Sequence, residues 1–408
     1  MNFRFLHKEN ILILTALLIV LFIISFYIFY MQVFYYQFYN IPKSDLSDHI
    51  KLIELILQHK YHVPHAGFHY ATLFFSNVIH LNREISAIIL LSLFVLVSFI
   101  VTYYTLKLFL DKIYSEKFLL LISVFLHLVT PVFLPILNTT IYFGQGSPNI
   151  WHSPTFIMTK PFVLIIILLV IQTLKEEKKQ SSLLLGILTG FLLMVSVYFK
   201  PNFALALIPA LGVYVLIEYR NKIKKYILSI LIVLPSLILL GYQFFSTYFL
   251  TDRGLGGTGD EIILTFFGVW KVHSPSVFLS ILRGSVFPIL IVFFRRKEIG
   301  NNHYLLISWL IYLVAFTEGA FLAEKESFFA FNFSNGYNFS LIGLYTFSII
   351  ELLKWMKETG FKFNISGLKY AELSGERKKL FITTFTFYWY IISGIIYLIR
   401  QILGYGFS

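Results

Sequence analysis

Long stretches without charge recur along the chain, and that recurrence restricts its fold more than any other feature. The apolar runs are Ile11–Tyr30, Ile85–Leu110, Phe118–Leu137, Thr155–Leu174, Ser181–Phe199, Phe203–Tyr219, Tyr226–Phe249, Val277–Phe294, Tyr304–Ala320, Tyr337–Trp355 and Leu380–Ile399. Each holds about 17 to 26 residues, and roughly 20 residues of helix cross the hydrocarbon core of a bilayer. Backbone polar groups in lipid must be satisfied internally, so runs of this length read as helices. The expected fold is all-α: a polytopic transmembrane helix bundle of about 11 spans, one domain over residues 1–408. Composition agrees, because a chain that is 57% hydrophobic and 13% charged cannot bury its apolar surface as a soluble protein. With no cysteine, disulfides, thiolate metal sites and cysteine nucleophiles are excluded. The first run is followed by M-Q-V-F-Y-Y-Q-F-Y-N rather than a small-residue cleavage site, so it is expected to remain as an anchor.

Gly67 to Leu81 is apolar but only 15 residues long, and it carries His69, Asn77 and His80. The distribution of basic residues arbitrates it. If it does not span, 22 of the 33 lysines and arginines fall in cytoplasmic loops, as the positive-inside rule requires, and the amino terminus is cytoplasmic. The net charge of +12 is then explained by anionic lipid rather than nucleic acid. This orientation makes 31–84 one external loop with two amphipathic membrane-surface helices, 321–336 another external loop, and puts eight of the 11 histidines outside. The expected location is the plasma membrane, multi-pass, with the chemistry on the outer face.

The first external loop concentrates what the rest of the chain avoids. In N-I-P-K-S-D-L-S-D-H-I-K, Asp45 and His49 are four apart and share a helical face, with Asp48 beside them. Leu46, Ile50, Ile53 and Leu57 follow helical spacing, as on a helix whose polar side faces water.

Three motifs carry a family resemblance: D-L-S-D-H-I at Asp45–Ile50, G-Q-G-S-P-N-I-W-H-S-P-T at Gly144–Thr155, and N-F-S-N-G-Y-N-F at Asn332–Phe339 after Glu324. With the layout of one span, a long external loop and further spans, the chain resembles the GT-C superfamily of integral-membrane glycosyltransferases, in particular bacterial members acting on cell-surface polysaccharides. The resemblance implies transfer of a sugar from a polyprenyl-phosphate-linked donor to a hydroxyl of a glycan or glycolipid acceptor, with inversion. Such a reaction needs a base for the hydroxyl and a cation for the leaving phosphate. Asp45 holds the matching position for the base, Asp48 is its rival, and His49 is placed to orient the carboxylate or meet the acceptor.

For the phosphate, Lys160 in T-K-P-F and Lys200 in F-K-P-N-F sit beside proline at span boundaries, where free helix N–H groups favour anions. The plainer account of each is a lysine reaching the interface. Arg283 lies inside an apolar span, where an unpaired arginine costs about 2.5–3.5 kcal/mol, so it is expected to face a cavity and a partner such as Glu318, Glu324 or a lipid phosphate. His152, Trp151, Glu324 and Asn332 are the expected substrate contacts, and Trp151 and Trp270 offer indoles for stacking on sugar. No cofactor is required by these residues. Glu324 and Glu326 are the acids available to a divalent cation, Mg or Mn. His62, His65 and His69 share helical spacing, but Pro64 interrupts it and no zinc signature is present. Gly254, Gly256, Gly257 and Gly259 lack the lysine of a phosphate loop and read as a flexible loop or lid. Two other functions fit the same features: polymerisation or ligation of lipid-linked oligosaccharides, and their transport or flipping. The first favours several arginines in a large external loop, where Leu250–Ser276 holds only Arg253, and the second favours internal symmetry, which is not seen.

Overall fold

The computed structural model describes residues 8–35, 44–136, 141–142, 144–249, 261–328, 332–361 and 375–405. The glycine-rich segment Gly254–Gly259 lies outside the described residues, as do residues 329–331 of the 321–336 loop. The fold is all-α, 79% helical. Nine of the described helices are long and apolar enough to cross a membrane, which makes the chain a multi-pass membrane protein. They are α1 (Lys8–Tyr30), α4 (Arg83–Leu110), α6 (Pro154–Lys175), α7 (Lys179–Phe199), α9 (Ile223–Tyr248), α11 (Val277–Ile299), α12 (His303–Phe321), α13 (Asn335–Thr359) and α14 (Gly375–Ile402).

Two of the eleven expected spans are not among these nine, one because its helix stops early and one because it is only 17 residues long, as its sequence run is. The run Phe118–Leu137 forms a helix only as α5, Glu116–Leu128, whose 13 residues extend about 20 Å. Pro131 and Pro135 explain the stop, because proline lacks an N–H and forces the residue before it out of the helical region. The chain from Val129 to Ile136 is non-helical, and its amides find partners inside the bundle: Thr130 N donates to Tyr390 O (3.4 Å), Val132 N to Arg283 O (3.2 Å) and Phe133 N to Ser393 Oγ (2.9 Å). The run Phe203–Tyr219 forms α8, Asn202–Glu218, with 17 residues.

Between α1 and α4 lie a π-helical turn, Met31–Tyr35, and two short helices, α2 (Asp45–Leu57) and α3 (Gly67–Ile79). Ser44 caps α2 by accepting from Leu46 N, and Leu46, Ile50 and Ile53 form its buried stripe. At 13 residues, α3 is too short to cross a bilayer, and it packs against α4, α6 and α7. A one-turn helix, α10 (Gly268–His273), and a two-stranded antiparallel ribbon complete the fold. In the ribbon β1 (Ile262–Leu264) pairs with β2 (Leu322–Glu324), setting Ile262 opposite Glu324.

The core is built around α13, which is buried along nearly its whole length and packs on α4, α6, α8, α11, α12 and α14. By contrast, α1, α7 and α9 turn Leu12, Ile23, Leu184, Ile223 and Ile238 outward. In water that would be a large exposed apolar surface; in a bilayer it is the lipid-facing side. The starts of α2, α6, α8 and α13 and the end of α7 meet at one end of the bundle, and the candidate residues collect there.

Candidate functional site

The position of Asp45 follows from how the start of α2 is held. Ser44 Oγ lies 2.7 Å from Gln32 Oε1 and 3.0 Å from His152 O, while Gln32 Nε2 donates to Trp151 O at 3.0 Å. Gln32 belongs to the π-helical turn and is buried, so that turn, α2 and the 151–152 segment form one hydrogen-bonded joint. The joint places Asp45 Oδ2 3.9 Å from His152 Nε2, with half of the carboxylate side chain exposed. The other ring nitrogen of His152, Nδ1, is hydrogen-bonded to the Tyr142 hydroxyl, and the two rings stack. Tyr142 in turn meets Tyr397 of α14, ring centroids 5.6 Å apart.

Lys200 arrives from the opposite side. It terminates α7 because Pro201 follows and holds it extended, at φ −158° and ψ 122°. Its Nζ lies 3.2 Å from Thr155 Oγ1 and 3.4 Å from Ser153 Oγ, at the start of α6, where Pro154 is the first helical residue. An ammonium beside unpaired helix N–H groups is a favourable place for an anion. Burial pulls Lys200 down from 10.5 to about 8, with the Asp45 carboxylate opposing the shift, so the side chain remains mostly cationic at neutral pH.

Imidazoles surround this pair. His49 Nδ1 is 3.0 Å from His69 Nε2, and one of the two must donate. Burial, His69, Lys200 and His65 hold His49 well below its ordinary range. Burial lowers His65 to about 3, His69 to about 4 and His152 to about 4; at His152 the attraction of Asp45 is outweighed. The histidines are therefore neutral at pH 7, and they supply hydrogen-bonding groups without adding charge around Asp45 and Lys200.

The second and third sequence motifs meet here as well. A small cavity of about 40 Å³ is lined by Gly144, Gln145, Gly146 and His152 from one, by Ser334, Asn335, Tyr337 and Asn338 from the other, and by Tyr142. Ser147 N donates to Asn338 Oδ1 at 2.8 Å, tying the two together. Gly146 sits at φ +78°, and a Cβ there would lie 2.1 Å from the Tyr337 ring, so only glycine fits the crossing.

The remaining candidates have other neighbours. Asp48 points to solvent and pairs with Lys51 at 3.6 Å, with about two-thirds of each side chain exposed. The ring of Trp151 packs on Phe29. Trp270, expected as an exposed indole, is instead a core residue, 1% exposed, donating to Ser334 Oγ at 3.1 Å. Lys160 is turned into the bundle and bonds Asn149 Oδ1, whose amide nitrogen holds Leu126 O and Val129 O at the end of α5. Arg283, 6% exposed, donates from Nε to Val132 O at 2.7 Å; the acids expected as its partners do not reach it.

Glu324 lies in a second polar cluster. It accepts from the Tyr248 hydroxyl at 2.8 Å and from Asn332 Nδ2, and Asn202 Nδ2 donates to Asn332 O at 2.5 Å. The Lys200–Pro201–Asn202 turn thus touches both clusters. His62 packs on Tyr242 rather than joining His65 and His69. Among the described residues no three His, Cys, Asp or Glu side chains converge to hold a metal ion.

Sequence reasoning passed over Gln32, Ser44, Tyr142, Ser153 and Thr155. Only the last two carried a usable signal, the S-P-T start of a span. No protein-family model matches the chain and no curated protein is similar to it, so the functional reading rests on these residues.

Proposed function

We propose that the chain is a GT-C type glycosyltransferase that moves a sugar from a polyprenyl-phosphate donor to an acceptor hydroxyl at the outer face of the plasma membrane. One observation carries the reading: an open carboxylate, Asp45, and a partly desolvated ammonium, Lys200, face one another across His152 and the start of α6, at the end of an apolar bundle. A displacement at a sugar carbon uses such a pair. The carboxylate accepts the proton of the attacking hydroxyl, and the cation stabilises the charge gathering on the departing phosphate.

In this reading α2 and α3 rest on the membrane surface, and the donor's lipid lies against the apolar sides of the bundle. Ser153, Thr155 and the free N–H groups of α6 join Lys200 on the phosphate. His152, neutral and tied to Tyr142, keeps the Asp45 side of the site polar without competing for the proton. Glu324 and Asn332 are reserved for acceptor hydroxyls.

The test is sugar transfer by the purified protein in nanodiscs, with a panel of polyprenyl-phosphate sugars and candidate acceptor glycans. Release of polyprenyl phosphate by the wild type, lost in Asp45→Asn while donor binding is retained, is the expected result. Donor binding with no turnover for any donor and acceptor pair would overturn the assignment and favour a transporter of lipid-linked saccharides.

A further inference from the structure

A second cavity lies outside the site described above. It is an open cleft of about 390 Å³ between the α2–α3 connection and the ends of α7 and α9. That volume falls in the range of small-molecule sites, about 300–1,000 Å³. Four tyrosines line it, Tyr61, Tyr70, Tyr198 and Tyr242, together with Lys60 and His62, and among the described residues no acid contributes to the wall.

Three features distinguish the cleft from a surface irregularity. Lys60 is exposed and has no ion-pair partner among the described residues, although Arg83 and Glu54 pair nearby. The His62 ring stands edge-on to Tyr242, centroids 6.3 Å apart, which fixes one aromatic wall. His59 closes α2 at φ +53°, a left-handed position usually given to glycine, and a side chain kept there at a conformational cost points to use of that side chain. The cleft also adjoins the transfer site: Val63, Pro64 and Ala66 line it, while the intervening His65 lies within the electrostatic reach of Lys200.

We propose that this cleft binds a saccharide bearing a carboxylate or phosphate group, the acceptor for the transfer. Tyrosine faces stack on the apolar face of a sugar ring and their hydroxyls bond to its hydroxyls, while Lys60 and the histidines recognise the anionic substituent. An acyl chain would require an aliphatic wall, which Ile56, Val63 and Ala66 alone do not make. Naming the saccharide as acceptor rests on the glycosyl-transfer reading; its binding does not.

The experiment is a titration of the protein in zwitterionic nanodiscs, without donor, followed by calorimetry or saturation-transfer NMR. The probes are a hexuronic-acid disaccharide, the corresponding neutral disaccharide, and glycerol phosphate as a lipid-headgroup fragment. The acidic disaccharide is expected to bind about tenfold more tightly than the neutral one, the usual order for one added charge-assisted hydrogen bond. Lys60→Gln should remove most of that preference, and Tyr242→Ala should weaken both disaccharides. Both altered side chains are exposed, so the fold is not at stake. Equal binding of the two disaccharides, or indifference to Lys60→Gln and Tyr242→Ala, would overturn the proposal. So would binding of glycerol phosphate alone, which would make the cleft a headgroup site. Because no donor is present, loss of sugar transfer leaves this readout intact, and failure of one reading is separable from failure of the other.

Discussion

Replacing Lys200 with methionine should make the protein more stable and inactive at once. Burial lowers the lysine from 10.5 to about 8, and at about 1.4 kcal/mol per pH unit this gap means the fold disfavours the ammonium by about 3 kcal/mol. Lys200 is only partly buried, and screening by solvent reduces the figure to about 1–3 kcal/mol. Methionine keeps the stem and removes the charge. For a chain of 408 residues, an unfolding entropy of about 2.1 cal/mol/K per residue makes 1 kcal/mol worth about 1 °C, so the apparent Tm should rise by about 1–3 °C.

The pH dependence fixes the sign. Between about 8 and 10.5 the unfolded chain still holds the Lys200 proton and the folded chain has released it, so wild-type stability rises with pH across that window. The advantage of Lys200→Met should therefore be complete below pH 8 and gone by about 10.5. Thermal unfolding of both proteins in one detergent at pH 7, 9 and 10.5, followed by tryptophan fluorescence, reads it directly. Polyprenyl phosphate release by the variant should fall about 10²- to 10³-fold, the scale of losing one positioned electrostatic group. A variant less stable than wild type at every pH would refute the reasoning, since Lys200 would then be a net stabilising contact of the α6–α7 junction.

Other outcomes follow from the same geometry. Asp48→Asn should change turnover by less than about twofold while Asp45→Asn lowers it about 10²- to 10⁴-fold, measured in the same release assay, because Asp48 faces solvent with Lys51 and Asp45 faces His152. Gly146→Ala should destabilise the protein by about 1–3 kcal/mol and abolish transfer, whereas Gly212→Ala, with nothing within 4 Å of the new methyl, should leave apparent Tm and activity near wild type. Wild-type stability should decline as pH falls from 6.5 towards 4, because unfolded histidines take up protons that His65, His69 and His152 refuse when folded. The fall in apparent Tm between pH 7 and 5 should be smaller in His65→Gln; an unchanged fall would exclude His65 from the acid response.

How far the sequence was informative depended on whether the signal was local. Hydropathy located nine long helices and set α3 apart from them, because the length and polarity of a run are written in its own residues. It overestimated α5, since an apolar run continues through Pro131 and Pro135 while the helix does not. Asp45, His152 and Lys200 stood out as polar residues at span edges, yet nothing in their spacing revealed that Gln32 and Ser44 would bring them to one place. Lys160 read as a lysine at a span boundary and Arg283 as an arginine inside a span with an acidic partner, and the structure gives each a different neighbour. Their partners, Asn149 and the Val132 carbonyl, come from distant segments and leave no mark near either residue.

The interrupted passage after α5 bears on how the protein is made. The amides of Thr130, Val132 and Phe133 are received by α11 and α14, which a ribosome delivers about 150 to 260 residues later, and Gly394 of α14 packs so closely that a methyl there would fall 1.3 Å from Leu128 O. Until those helices arrive, residues 129–136 hold unpaired peptide groups that hydrocarbon will not accept. The segment must wait in water or in the insertion machinery, so biogenesis of the site ends with the docking of α14, the helix that also brings Tyr397 to Tyr142.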